Sequence, residues 1–323
     1  VNIFNLKEYA ENCLNITTKQ AQLKKLKFNS FQNTIHNEII RQRKHHGRVR
    51  VIILKARQLG VSTFSTAYLF HQAITHYYRS GLIISHDSDS TRGLFDICKR
   101  YWDFLPGIKP LRKRSNAREL LFDNPFKDRD GIEGLMSAIK LETAGKKTAG
   151  RSSTIHDLHV SELPYFENAA TVMSGLLQSV PQDGSSIIIE GTAQGITGAG
   201  EEFYIRWKKA EEGSSDFAPL FFAAHKNPEY KMSLPEDFVT TEWENMRLAT
   251  FPEMTKEYLM FRRYKIANDL GSALMSAEDQ FRQEYPDTPS ESFISSGRSV
   301  FSIDKITAYI EKIKSTSFEC FEI

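Results

Sequence analysis

Apolar residues fall along this chain in two rhythms. VRVIIL (49–54), SGLIIS (80–85) and SSIIIEGTA (185–193) are short, largely β-branched runs set between polar turns. This is how strands buried on both faces of a parallel sheet read. Weaker runs at ELLFD (119–123), LMSAIKLET (135–143) and STIHDLHVSE (153–162) predict further strands, and DSTRGLFDICKRYWDFL has the spacing of an amphipathic helix. Strands alternating with helices predict an α/β domain with a mainly parallel central sheet flanked by helices.

The flanks differ. LKEYAENCL, TKQAQLKKLKF and FQNTIHNEIIRQRKHH read as polar helices, the last with Phe31, Ile35 and Ile39 or Ile40 at helical spacing. After GTAQGITGAG come a strand in FAPLFFAAH and helices in TEWENMRLATF and PEMTKEYLMFRRYKIANDLG. QEYPDTPSESFISSGRSVF, rich in Pro and Ser, is expected to pack as an irregular connection. Composition adds exclusions: of 323 residues 40% are hydrophobic and 25% charged, ordinary globular values, and net charge is only +2. No apolar run approaches the roughly 20 residues of a membrane-spanning helix. No signal segment opens the chain, and Cys13, Cys98 and Cys320 are scattered, which fits a reducing cytoplasm without a disulfide or metal framework.

KARQLGVST (55–63) joins a predicted strand to a predicted helix, where backbone N–H groups and the positive helix end converge on an anion. Against the phosphate-loop pattern G-x-x-x-x-G-K-[ST] it keeps only Gly60 and Ser62; Lys55 holds the first glycine position and Val61 the lysine position. The chemistry needs an ammonium near the β and γ phosphates and a hydroxyl on magnesium, whichever Cα carries them. Lys55 has the reach, and Arg57 adds a bidentate donor. Taken alone the stretch is equally an ordinary strand-to-helix turn.

ATPases that hydrolyse with a glutamate carry a second element on a neighbouring strand, with an acidic pair for magnesium and for water. Here the strand ends in Ser161-Glu162. Glu162 is placed to polarise water, while Ser161 could hold magnesium only through a water or its hydroxyl. Asp157 lies about 13 Å back along the strand, too far to help. Zinc on His156, His159 and Glu162 is disfavoured, because His156 and His159 would face opposite sides of a strand. IIIEGTAQG (187–195) ends a third strand in a small polar turn of the kind that senses a γ phosphate.

KARQLGVST, LHVSE and EGTAQG, in that order, together with FRRYKIANDLGSALMSAEDQFRQEYPDTPSESFISSGRSVF, resemble the large terminase subunit, the ATPase of genome packaging in tailed phages. The resemblance spans about residues 28 to 301 and implies a P-loop NTPase fold of the ASCE type with a small lid subdomain. It implies an N-terminal helical segment over 1–45, an ATPase core over 46–230, a lid and closing segment over 231–301 and a tail over 302–323. Lys55, Ala56, Arg57, Gln58, Leu59, Gly60, Val61, Ser62 and Thr63 would form the ATP-binding loop, with Ser62, and Ser161 through water, toward Mg²⁺. Glu162 would be the catalytic base, with Lys55 and Arg57 assisting. Thr192, Ala193 and Gln194 match the coupling motif. Gln32 stands where the family reads adenine, with Gln20 a rival, and Arg151 stands where some members carry an arginine finger, though a solvated arginine reads the same way.

The implied partners are double-stranded DNA, a portal protein, a small terminase subunit and further copies in a homo-oligomeric ring, in the cytoplasm of an infected host. RQRKHHGRVR, LRKRSNAR, GKKTAGR and FRRYK could contact DNA phosphates without reading bases, or be solvated faces. The family's usual nuclease domain is not expected here: Asp304, Glu311, Glu319 and Glu322 lie in a short tail. A helicase-like ATPase and a non-hydrolysing nucleic-acid-binding scaffold are the competing readings, the latter resting on Val61 and Ser161.

Overall fold

Successive residues of the strand Val49–Lys55 face opposite sides of one sheet. Val49, Val51 and Ile53 enter one apolar cluster, Ile52 and Leu54 another, and all five are fully buried. Period-two burial on both faces is what a central parallel strand requires. The computed structural model describes residues 2–144 and 154–294.

The strands are β1 (Asn15–Thr17), β2 (Leu23–Lys25), β3 (Val49–Lys55), β4 (Ser80–Ser85), β5 (Arg114–Ser115), β6 (Glu119–Phe122), β7 (Ser137–Thr143), β8 (Asp157–Ser161), β9 (Ser186–Gly191) and β10 (Ala218–Phe222). The helices are α1 (Leu6–Cys13), α2 (Ser30–His46), α3 (Val61–Thr75), α4 (Ser88–Asp103), α5 (Lys127–Asp130), α6 (Ala169–Gln178), α7 (Glu201–Glu211), α8 (Glu242–Thr250), α9 (Lys256–Asn268), α10 (Ala277–Glu284) and α11 (Pro289–Ser292). Eight strands form the main sheet in the order β10-β3-β9-β8-β4-β7-β6-β5. From β10 to β7 they run parallel; β6 and β5 add antiparallel at one edge.

The core on the Val51 face takes in α1 to α4, with Phe64 and Phe70 from α3, and also Tyr258, Phe261 and Phe281 of α9 and α10. The Ile52 face is covered by α6 and α7 through Met173, Leu176, Phe203 and Trp207. α2 opens with a reciprocal capping box between Asn29 and Gln32 and closes at left-handed Gly47. Of its two candidate apolar positions Ile39 is buried and Ile40 exposed.

The expected helix over TKQAQLKKLKF does not form: β1 and β2 pair there as an antiparallel hairpin. Its good helix formers supply no apolar stripe, and its buried Leu26 and Phe28 stand two apart, the spacing of an extended chain. Of the segment from Gln283, the described residues, to Ile294, pack against the core, with α11 as a further helical turn among them. Buried Asp287 anchors it, accepting from Arg247 (2.8 Å), His225 (2.9 Å) and Tyr258 (2.9 Å). Among the described residues no helix is long and apolar enough to cross a membrane.

Candidate active site

β3 ends at Lys55 and α3 begins at Val61, so the predicted phosphate loop is the five-residue crossing between a parallel strand and a helix N-terminus. Two residues make the turn possible, Gln58 at φ 54° and Gly60 at φ 77°, both left-handed. A side chain at Gly60 would also meet Gln32 Nε2 at 2.8 Å. The start of α2 braces this loop: Gln32 Nε2 donates to Gly60 O (2.8 Å) and Asn29 Nδ2 to Leu59 O (3.0 Å). Gln32 Oε1 accepts from Asn29 N at 3.0 Å, so one end of that buried amide holds the loop and the other caps α2. Gln20 lies exposed beside the β1–β2 turn. Ala56, Leu59 and Val61 are buried in the core, whereas Ser62 and Thr63 are partly accessible.

Beneath the loop, Lys55 Nζ lies 2.8 Å from Glu162 Oε1 and 3.2 Å from Glu190 Oε2. Burial alone would lower the Lys55 pKa, but the two carboxylates hold it above the ordinary lysine value. Glu190 is fully buried. Burial acts to raise its pKa, yet the Lys55 ammonium and the bond from His159 hold it below the ordinary carboxylate range. Its Oε1 is 2.6 Å from Ser62 Oγ, 2.8 Å from Ser161 Oγ and 3.3 Å from His159 Nε2.

Strand register explains the convergence. Glu190 sits directly opposite Ser161 on β8 and Ile53 on β3, and alternation turns Ser161, His159, Glu190 and Lys55 all toward α3. β8, at whose end Glu162 lies, was expected beside the loop strand β3; instead β9 lies between them. Continued alternation would send Glu162 to the other face. Its left-handed backbone, φ 57° and ψ 49°, folds the side chain back to Lys55. Thr192 N donates to Glu162 Oε2 at 3.1 Å, and Gly191 leaves room for the Pro164 ring where a Cβ would overlap it.

Lys55, Arg57, Gln58, His86, Glu162 and Thr192 line a cavity of 300 Å³. Arg57 reaches it with a half-exposed guanidinium paired to Glu284, one of its bonds measuring 2.9 Å. Ala193 is buried, and Gln194 Oε1 accepts from Gln283 Nε2 at 3.1 Å. Ser161 does not line this cavity, since its hydroxyl is turned to Glu190. Asp157, at the far end of β8, is paired with Arg79 at 2.7 Å, and His156 accepts from Ser80 N. Arg151 lies outside the described residues, as do the cluster GKKTAGR and the tail.

Sequence reasoning passed over Glu190 and Glu284. The signal for Glu190 was a single carboxylate closing the apolar run IIIEG; nothing local marks Glu284. In the basic clusters many cations are engaged within the chain. Arg50 bonds Ser185 and Val49, Arg43 bonds Tyr68 and Ser186, Lys113 pairs with Asp123, and Arg262 and Arg263 pair with Glu278 and Glu244.

No protein-family model matches the sequence, and no match to it was found among curated proteins. Solved structures do match the fold. The large terminase of bacteriophage HK97 superposes with a TM-score of 0.57 at 14% identity, covering 89% of this chain and 55% of that one. The large terminase ATPase domain of Thermus phage P74-26 gives 0.53 at 17% identity, covering 80% of this chain and 92% of the domain. The chain thus shares the α/β fold of phage large terminase ATPase domains and spans about half the length of the HK97 protein.

Proposed function

We propose that the cavity beside Lys55 binds ATP with Mg²⁺ and hydrolyses it, and that the chain is the ATPase motor region of a viral terminase large subunit. The observation that carries this reading is the Lys55–Glu162 pair, 2.8 Å apart at the carboxyl edge of a parallel sheet, under a loop that opens α3. The likeness in fold to a terminase ATPase domain supports it.

The residues present suit a magnesium nucleotide. One ammonium facing two carboxylates leaves an excess of negative charge, and Ser62 can give its proton to Glu190 while keeping its lone pairs for a cation. Ser62 would be the protein's ligand. Magnesium, held there, would supply positive charge to offset that of the phosphates.

Lys55 replaces the lysine absent at position 61. A triphosphate in the cavity would draw its ammonium from Glu162, exchanging a carboxylate partner for a phosphate. Glu162, still held by Thr192 N, would then be free to orient water for attack on the γ phosphate. Arg57 would add a second donor on leaving Glu284. Thr192, Ala193 and Gln194 would pass the loss of the γ phosphate to the closing segment through Gln283.

On the same reading, Arg151 acts on a neighbouring subunit of a ring, residues beyond 230 form the lid, and duplex DNA, a portal and a small terminase subunit are partners in the host cytoplasm. ATP hydrolysis with and without double-stranded DNA tests the proposal on the intact protein, Lys55→Ala and Glu162→Gln. Turnover in the intact protein no higher than in both variants would sink it.

A further inference from the structure

Ser62 donates its hydroxyl proton not to a residue of β8 but to Glu190, one strand nearer the loop. We propose that Glu190 supplies the carboxylate that orients Ser62 as a magnesium ligand, a task for which β8 offers only Ser161. This rests on the nucleotide-site reading above and names a positioning residue within it.

Three observations carry the inference. First, the register places Glu190 directly across from Ser161, so its carboxylate stands one strand, about 4.8 Å, from where an acidic residue at 161 would place one. Glutamate is one methylene longer than aspartate, which helps it reach the same hydroxyl from the adjacent strand. Second, Ser62 and Ser161 converge on the same oxygen, Oε1, at 2.6 and 2.8 Å. Ser161 is thereby a donor to the Glu190 carboxylate instead of a substitute for it. Third, Glu190 is fully buried and its Oε2 makes no hydrogen bond among the described residues, although Lys55 Nζ stands 3.2 Å away. A fully buried carboxylate–ammonium pair of this kind is costly to keep for packing alone.

Glu190 does not line the cavity, so it acts through Ser62. By holding the Ser62 proton it leaves the hydroxyl lone pairs facing the loop side. Partners that orient a metal's ligands in this way typically change metal affinity by about 10- to 100-fold when removed.

The test measures equilibrium binding of a fluorescent ATP analogue to the intact chain in magnesium and in EDTA, with thermal unfolding as a control. Glu190→Gln is expected to reduce the magnesium-dependent gain in affinity about tenfold or more, while binding in EDTA changes little. Glu190→Gln combined with Ser161→Asp, which returns a carboxylate to β8, is expected to recover most of that gain. If Glu190→Gln fails to fold, Glu190→Asp decides: it keeps the charge but, one methylene shorter, draws back from Ser62 Oγ, and the magnesium-dependent gain must fall in the folded protein. A full magnesium gain in folded Glu190→Gln, or no recovery in the double variant, overturns the proposal and leaves the nucleotide site standing. An intact protein that binds no nucleotide in either condition overturns both.

Discussion

Gln283 on α10 donates its side-chain amide to Gln194, in the turn that follows β9, across 3.1 Å. The next residue, Glu284, holds Arg57 of the loop between β3 and α3, and its backbone carbonyl accepts from Arg57 N at 3.2 Å. Two consecutive residues of the closing segment therefore grip the loop that opens α3 and the turn that follows β9. Gly195 reinforces the join, since a Cβ there would meet Ile294 O at 3.1 Å.

Gln283→Ala removes this link without touching the cavity lining. ATP affinity and basal hydrolysis are expected to stay near wild type, while stimulation by DNA falls by about fivefold or more, the scale of a modest coupling energy. Steady-state hydrolysis with and without duplex DNA checks this; unchanged stimulation would remove Gln283 from the coupling route.

Gly191→Ala is expected to disturb Glu162 from a distance. The new methyl overlaps the Pro164 ring, so the turn carrying Glu162 must shift. A stability loss of about 1–3 kcal/mol is expected from overpacking, accompanied by a larger loss of hydrolysis than of ATP binding. Urea unfolding and turnover on the same preparation separate the two effects; full hydrolysis would show that the turn tolerates the shift.

Lys55→Ala gives a prediction with a sign in pH. In the wild-type fold the Glu190 pKa is lowered, so its stabilising contribution is complete above the unfolded value, about 4.3. It is lost as pH falls through the lower folded value. Without Lys55 the buried carboxylate loses its ammonium partner and its folded pKa rises. The variant's deficit, about 3–5 kcal/mol for a broken buried pair, should be largest at neutral pH and shrink as pH falls toward about 4.5. Urea unfolding of both proteins at the two pH values checks this, and an equal deficit at both would show that Lys55 does not keep Glu190 charged.

The central strands were readable in the sequence because burial on both faces demands runs such as VRVIIL and SGLIIS, which few other elements produce. What escaped depended on tertiary neighbours. The hairpin at β1 and β2 overrode local helix propensity. Glu190 gained its partners only once β9 lay between β3 and β8, and the Arg57–Glu284 pair joins positions 227 residues apart. The Gln32 amide bonds Gly60 across 28 positions of chain, a contact no local pattern signals.

The most direct test of the account is the rate of phosphate release from prebound ATP in a single turnover, comparing wild type with Glu162→Gln in the presence of magnesium and duplex DNA. The variant should retain ATP, having lost only a charge beside Lys55, and release phosphate about 10²- to 10⁴-fold more slowly, as expected for loss of a general base. Release at the wild-type rate in Glu162→Gln would contradict the assignment of Glu162 and with it the reading of this cavity as the hydrolytic site.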